Sequence, residues 1–164
     1  MTPPAILRPL LPTDVAVLAA IFRASIDELA MDDYDNAQLA AWIASADDAQ
    51  AFGKRLAENL TLIATLNQSP AAFACLKGAD TIDMLYVHPD AARQGIGSQL
   101  VDALERIATA RGAQKLTGDI SDTALPLFEQ RGYTQQRRNT VRLGDVWIGN
   151  TTMSKKLGKP ETLH

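Results

Sequence analysis

The sequence predicts a mixed α/β fold, and three stretches carry that prediction. Residues 81–104, TIDMLYVHPDAARQGIGSQLVDAL, read as a strand, a glycine-bearing turn and a helix. The strand, Thr81–Val87, is apolar and partly β-branched or aromatic; from Gly95 onward Ile96, Leu100, Leu104 and Ile107 recur at helical spacing. Upstream, residues 61–66 and 71–76 are two further strand-like segments. Short turn clusters at 67–70 and 78–80 join them to each other and to Thr81–Val87, which predicts an antiparallel meander. Downstream, Thr134–Leu143 and residues 146–155 flank Gly144-Asp145 and predict a hairpin. A chain of 164 residues that is 46% hydrophobic can build a real core, so one domain over 1–164 is expected.

The remaining elements follow in order. Residues 5–10 form a short apolar first strand. Thr13 is the expected N-cap of the first helix, with Asp14 in its acidic first turn and Val15, Leu18, Ala19, Phe22, Ile26 and Leu29 as its buried stripe. The acidic link MDDYDN at 31–36 leads into a second helix, with Leu39, Trp42 and Ile43 on one face. Asp47 or Asp48 can cap a third segment carrying Phe52 and Leu56. After the Ile96 helix, Gly112 suits the C′ position, and residues 115–120 form a strand parallel to Thr81–Val87. Ser121 or Asp122 is expected to cap a helix reaching Arg131, with Pro126 in its first turn. Residues 157–164 read as a frayed tail.

Composition narrows the function classes. No run of about 18 apolar residues is present, so no membrane association is expected. The start MTPPAILRPLLP has no basic n-region and is too proline-rich for a signal peptide. The single cysteine, Cys75, excludes an intrachain disulfide and a cysteine-rich metal site. Net charge is −3, unlike the basic body of a nucleic-acid binder. A cytoplasmic protein without a metal or a nucleic-acid partner is the expectation.

Arg93, Gln94, Gly95, Ile96, Gly97 and Ser98 lie where the first helical turn leaves backbone N–H groups unpaired and the helix dipole adds partial positive charge. A pyrophosphate fits such a site, with Gly95 and Gly97 admitting close backbone approach and Arg93 adding charge at the rim. The dinucleotide fingerprint fails, because Leu100 stands at its third glycine; the ATP/GTP loop fails, because no G-K-[ST] follows. The stretch resembles motif A of the GNAT superfamily, the acetyl-CoA-dependent N-acetyltransferases. That pattern is [Q/R]-x-x-G-x-[G/A] just after a strand ending V-x-P, and Val87-His88-Pro89 and Gly95-Ile96-Gly97 match it. Ala92 stands at the first position, so one side-chain contact of the pattern is missing. The element order β-α-α-β-β-β-α-β-α-β-β is also that family's order. The resemblance therefore implies a central, mostly antiparallel mixed sheet with helices on both faces.

The resemblance further implies acetyl-CoA as co-substrate and direct attack by an amine in a ternary complex. The pantetheine arm would lie beside Leu85, Tyr86 and Val87 where the central strands splay, pairing with backbone as an extra strand would. A backbone N–H near Tyr86 or Val87 is the candidate oxyanion donor. In the family a tyrosine of F-Y-E-K-x-G-[FY] often protonates the leaving thiolate. Here the segment is Leu127-Phe128-Glu129-Gln130-Arg131-Gly132-Tyr133, and Phe128 has no proton to give. Water, Tyr86 or Ser121 could replace it, while Tyr133 reads as a packing residue.

Asp83 is either a general base for the amine or a residue at a solvated strand start. Strand alternation places it with Leu85 and Val87. Ser121 could bond the arm or only cap its helix. His88 reads as a turn residue and Cys75 as a small buried hydrophobe. Asp32, Asp33, Tyr34, Asp35 and Trp42 could attract a cationic acceptor or form a solvated acidic loop; Arg137, Arg138 and Arg142 could instead bind an acidic one. The acceptor is expected to be a small-molecule amine or a protein amino group, and a homodimer stays open. The rival reading is a non-catalytic sensor or scaffold that holds coenzyme A.

Overall fold

A computed structural model describes residues 5–158 of the chain. Residues 159–164, most of the expected tail, lie outside the described residues, as do residues 1–4. Leu157, at the near end of that tail, donates its N–H to Gln114 O at 2.8 Å.

The elements are β1 (Ile6–Pro9), α1 (Val15–Leu29), α2 (Asn36–Ala44), α3 (Ala49–Glu58), β2 (Leu60–Leu66), β3 (Ser69–Lys77), β4 (Thr81–Val87), α4 (Ile96–Ala110), β5 (Lys115–Ser121), α5 (Leu125–Gln130), β6 (Thr134–Leu143) and β7 (Val146–Lys156). The sheet runs β1-β2-β3-β4-β5-β7-β6, with the meander and the terminal hairpin as expected. Every neighbouring pair is antiparallel except β4 and β5, which α4 connects as a crossover. One face packs on α4 and α5 through Leu100, Leu104, Leu116, Phe128 and Met153. The other packs on α1, α2 and α3 through Leu18, Phe22, Leu39, Leu56 and Phe73. The expected α/β class with helices on both faces is therefore the observed one.

Local chemistry explains the helix starts, with three departures from expectation. Thr13 is not the first cap. A 3-10 turn over Pro12–Asp14 intervenes, and Asp14 holds it by accepting from Leu11 N–H at 2.7 Å and from both terminal nitrogens of Arg8 at 2.8 and 2.9 Å. The segment after Asp48 is a full helix, capped by Asp48 accepting from Ala51 N–H at 3.0 Å, so three helices rather than two separate β1 from β2. Asp122 caps nothing: α5 begins at Leu125, with Pro126 in its first turn as expected, and the Asp122 carboxylate pairs with Arg138. Ser121 Oγ instead accepts from Ala124 N–H at 3.2 Å. Helix α2 starts in a capping box, with Asp35 and Gln38 exchanging bonds of 2.8 and 2.9 Å. No helix among the described residues is long and apolar enough to cross a membrane.

Candidate active site

The site begins where β4 ends. His88 Nδ1 accepts from Asp90 N–H at 3.1 Å, so this histidine fixes the exit turn, as expected. The chain then turns through two left-handed residues, Arg93 at φ +63° and Gly95 at φ +80°, before entering α4. Gln99 N–H donates to Gly95 O at 3.0 Å, and the helical ladder begins there. The N–H groups of Ile96, Gly97 and Ser98 precede the ladder and point out of the helix end. Ser98 Oγ accepts from Arg131 at 2.9 Å, which ties the helix start to the end of α5. Gln94 turns back toward Asp90 O, and Arg93 is exposed at the rim.

The two glycines do different work. Gly95 has open space where a Cβ would stand, but a positive φ that L residues resist. Gly97 has ordinary helical backbone, yet a Cβ there would stand 3.2 Å from Leu127 Cδ2 and 3.7 Å from Val87 Cγ2. Its small size lets the α4 start, the β4 end and α5 come together.

Strands β4 and β5 pair at two positions only, Thr81 with Thr117 and Ile82 with Gly118. Beyond them β4 continues against β3 to Val87, while β5 continues against β7 to Ser121, and the two diverge. Gly118 makes the contact close: a Cβ on it would stand 3.1 Å from Ile82 Cβ. His88 N–H donates to Ala71 O at 2.8 Å, so alternation along β4 turns the N–H and C=O groups of Leu85 and Val87 toward the opening.

Asp83 departs from its expected face. Cys75 pairs with Met84 and Leu76 with Ile82, so Asp83 is the extra residue of a β-bulge. The bulge breaks the alternation and sends the Asp83 side chain to the α3 side, with Met84 and Tyr86, rather than with Leu85 and Val87. There Arg55 grips both carboxylate oxygens at 2.7 and 3.1 Å, and Asn59 adds a bond of 2.9 Å.

Two cavities meet at the divergence. The first, about 430 Å³, runs from the turn at Arg93, Gly95 and Gly97 to Leu85, Val87 and Ser121. The second, about 640 Å³, opens on the α1–α3 side between Tyr34, Trp42, Asp83, Asp119 and Arg137. Both are lined by Trp42, Leu85, Tyr86, Ser121 and Ala124. Tyr86 stands at the junction. Its ring packs edge-on against Phe22 at 4.6 Å, and its hydroxyl accepts from Trp42 Nε1 at 3.2 Å. Burial pushes the phenol up to about 12.

The other candidates fall into place around this junction. Phe128 is buried against Tyr133, with ring centroids 5.0 Å apart, and borders the second cavity rather than the first. Tyr133 donates to Glu105 at 3.0 Å and packs, as expected. Cys75 is fully buried beside Thr61 Oγ1, and burial pushes its thiol up to about 12, a packing role as expected.

The acidic link does not line the cleft as a unit. Asp35 caps α2, Asp33 accepts from Thr123 Oγ1 at 2.8 Å, and Asp32 is exposed; only Tyr34 and Trp42 border the second cavity. The Tyr34 hydroxyl donates to Gly149 O at 2.8 Å and accepts from Asp122 N–H at 2.9 Å. Of the hairpin arginines, Arg138 is held by Asp122 and Arg142 lies 6.0 Å from the Trp147 ring centroid, so Arg137 is the one bordering the cleft. Sequence reasoning missed Arg55, Asn59 and Gly118. Arg55 and Asn59 carry no local signal; Gly118 does, as an isolated glycine within a strand. Among the described residues no group of three or more His, Cys, Asp or Glu side chains is placed to hold a metal ion.

A mixed sheet that parts beside the start of a helix, with two cavities meeting at the gap, is the architecture of an acyltransferase of the GNAT class. Residues 30–157 match the family model of the acetyltransferase (GNAT) domain, and the chain belongs to that family. It is 31% identical over 145 residues to YafP, an uncharacterised N-acetyltransferase of Escherichia coli (strain K12), covering 88% of this chain and 91% of that protein. The crystal structure of a GCN5-related N-acetyltransferase from Rhodopseudomonas palustris superposes with a TM-score of 0.94 at 53% identity, over 96% of this chain and 98% of that one. A more distant match, 18% identical with a TM-score of 0.78, is the PaiA N-acetyltransferase of Thermoplasma acidophilum in complex with coenzyme A, over 93% of this chain and 98% of that one. The protein is thus a GNAT-type acyltransferase.

Proposed function

We propose that this enzyme moves an acetyl group from acetyl-CoA to a primary amine, on a small molecule or a protein, by direct attack in a ternary complex. The observation that carries the reading is the meeting of the two cavities at Tyr86, one leading from the anion turn and the other from the open face. Bound in the first cavity, the thioester supplies an activated carbonyl and a thiolate leaving group. Ile96, Gly97 and Ser98 offer N–H groups to its diphosphate, with Arg93 at the rim. Leu85 and Val87 offer backbone groups to the pantetheine amides, and Val87 N–H is the favoured donor to the carbonyl oxygen, since Tyr86 N–H lies on the β3 side.

Tyr86 Oη takes the role of proton donor that Phe128 cannot fill. Ser121 Oγ, which accepts from Ala124 N–H, is the weaker candidate, because an aliphatic hydroxyl is a far weaker acid than a phenol. Asp83 shapes the acceptor wall as an ion pair, because both its oxygens are engaged; the acceptor enters as the free amine. Positioning supplies most of the rate, as befits a reaction without a covalent enzyme intermediate.

The test is release of free thiol from acetyl-CoA with a panel of amines. Turnover dependent on both reactants supports the reading. Tight binding of coenzyme A with no turnover across amino acids, polyamines and peptide N-termini would instead make the protein a sensor, the role that Phe128 by itself would suit.

A further inference from the structure

We infer that Trp42 is a positioning residue: by donating its indole N–H to Tyr86 Oη, it turns the tyrosine's own proton toward the gap between β4 and β5. The inference rests on the reading of Tyr86 as proton donor and adds how that proton is aimed. A tyrosine hydroxyl has one proton and two lone pairs. The Trp42 Nε1 bond, at 3.2 Å, occupies the lone-pair side. An indole N–H can only donate, so it can never take the proton itself. The hydroxyl is left with its proton to give elsewhere, and its residue lines both cavities.

The two rings are held well enough for this to be a fixed arrangement. Trp42 packs edge-on against Tyr34 at 5.4 Å and against Tyr86 at 6.2 Å; Tyr86 packs on Phe22 and, at 5.6 Å, on Phe73. Trp42 sits on α2, whose start is fixed by the Asp35–Gln38 box and whose Gln38 side chain donates to Trp147 O at 2.8 Å. The indole bond also favours the phenolate over the phenol, which makes Tyr86 a better acid than burial alone would leave it.

The transfer then balances. The C–N bond forms as the C–S bond breaks, and the electron pair of the broken bond stays on sulfur. Tyr86 Oη–H protonates the sulfur. The proton shed by the acceptor nitrogen restores the hydroxyl, so amide and thiol are the only products and the indole N–H is unchanged throughout.

The experiment is a double-mutant cycle with Tyr86→Phe and Trp42→Phe, both of which keep a ring in place. Tyr86→Phe is expected to lower kcat about a hundredfold and Trp42→Phe about tenfold, each with KM for acetyl-CoA within about twofold of the parent. The double variant should match Tyr86→Phe within about twofold, because the indole acts only through the hydroxyl. Additive losses, or a Trp42→Phe enzyme with unchanged kcat, overturn the inference and leave Tyr86 as donor. A Tyr86→Phe enzyme with full kcat overturns the donor assignment itself.

A second readout needs no thioester. In protein labelled with [15N]Trp, the Trp42 indole N–H is expected to exchange with solvent at least about threefold faster in Tyr86→Phe than in the parent. Trp147, the other tryptophan, serves as the internal reference. Equal exchange in the two proteins means that the bond is absent in solution and ends the inference, even should Trp42→Phe fail to fold.

Discussion

Tyr86 carries its hydroxyl in surroundings that keep it protonated. Burial raises it most; Trp42 N–H and the Arg55 guanidinium lower it, and Asp83 and Cys75 raise it again, for a value of about 12. A donor is lost only when pH climbs through its pKa, so a raised value moves that loss upward. The expected pH profile of kcat/KM therefore rises as the acceptor amine loses its proton and shows no falling limb short of about pH 11, as a stopped-time thiol assay would record. Gly97 makes a different prediction at the same scale. Gly97→Val drives a branched Cβ toward Leu127 and Val87, so both coenzyme A affinity and stability should fall, the latter by about 1–3 kcal/mol in denaturant titration. A variant with weakened affinity and unchanged stability would mean that Leu127 yields without cost.

Among the elements, the entry to α1 shows how far a single carboxylate can organise a junction. Asp14 closes the 3-10 turn and clamps Arg8 of β1, and the Arg8 guanidinium holds its carboxyl below the usual carboxylate range. A pKa lowered on folding stabilises the native state above the unfolded pKa, and that stability fades as pH falls through the lower, folded value. Asp14→Asn is thus expected to cost about 1–2 kcal/mol near neutral pH and progressively less in acid, below about pH 4, by urea unfolding at several pH values. The β4 bulge is the other element-level device. One extra residue turns Asp83 from the α4–α5 face of the sheet to the α1–α3 face, where Arg55 and Asn59 meet it. Asp83→Asn should raise the acceptor KM several-fold while lowering kcat less than Tyr86→Phe does, since the pair shapes the wall.

For the molecule as a whole, the decisive feature is how weakly the two halves of the sheet are joined. β1 to β4 form one half and β5, β7 and β6 the other, with two residue pairs between β4 and β5. Gly118 is the contact point, and a Cβ there would meet Ile82 at 3.1 Å and Ile120 Cδ1 at 3.0 Å. Tyr34 ties the link before α2 to β7 and to the segment after β5 through Gly149 O and Asp122 N–H. Gly118→Val should push the halves apart and lower both stability, by about 1–3 kcal/mol, and kcat; Tyr34→Phe should cost about 1–2 kcal/mol and raise the acceptor KM more than that for acetyl-CoA. Denaturant titration with steady-state kinetics on both substrates checks the pair. Equal effects of Tyr34→Phe on the two KM values would count against its place on the acceptor side.

The amino-acid sequence by itself determined the strand, turn and helix at Thr81–Val87, Gly95 and Ile96–Ala110, the meander and hairpin, a cap at Asp47 or Asp48, and the missing hydroxyl at Phe128. Those features depend on residues within about four positions of one another, where periodicity, capping and turn chemistry act. Only the tertiary structure decided that Arg55 would meet Asp83 across 28 residues, that Trp42 would reach Tyr86 across 44, and that Tyr34 would bridge to Gly149 across 115. It also decided that Asp33 would be spent on Thr123, 90 residues away, instead of on the cleft. Such partners are selected by packing and by a bulge that shifts one side chain across the sheet, and neither leaves a mark at the spacing that a linear reading can see.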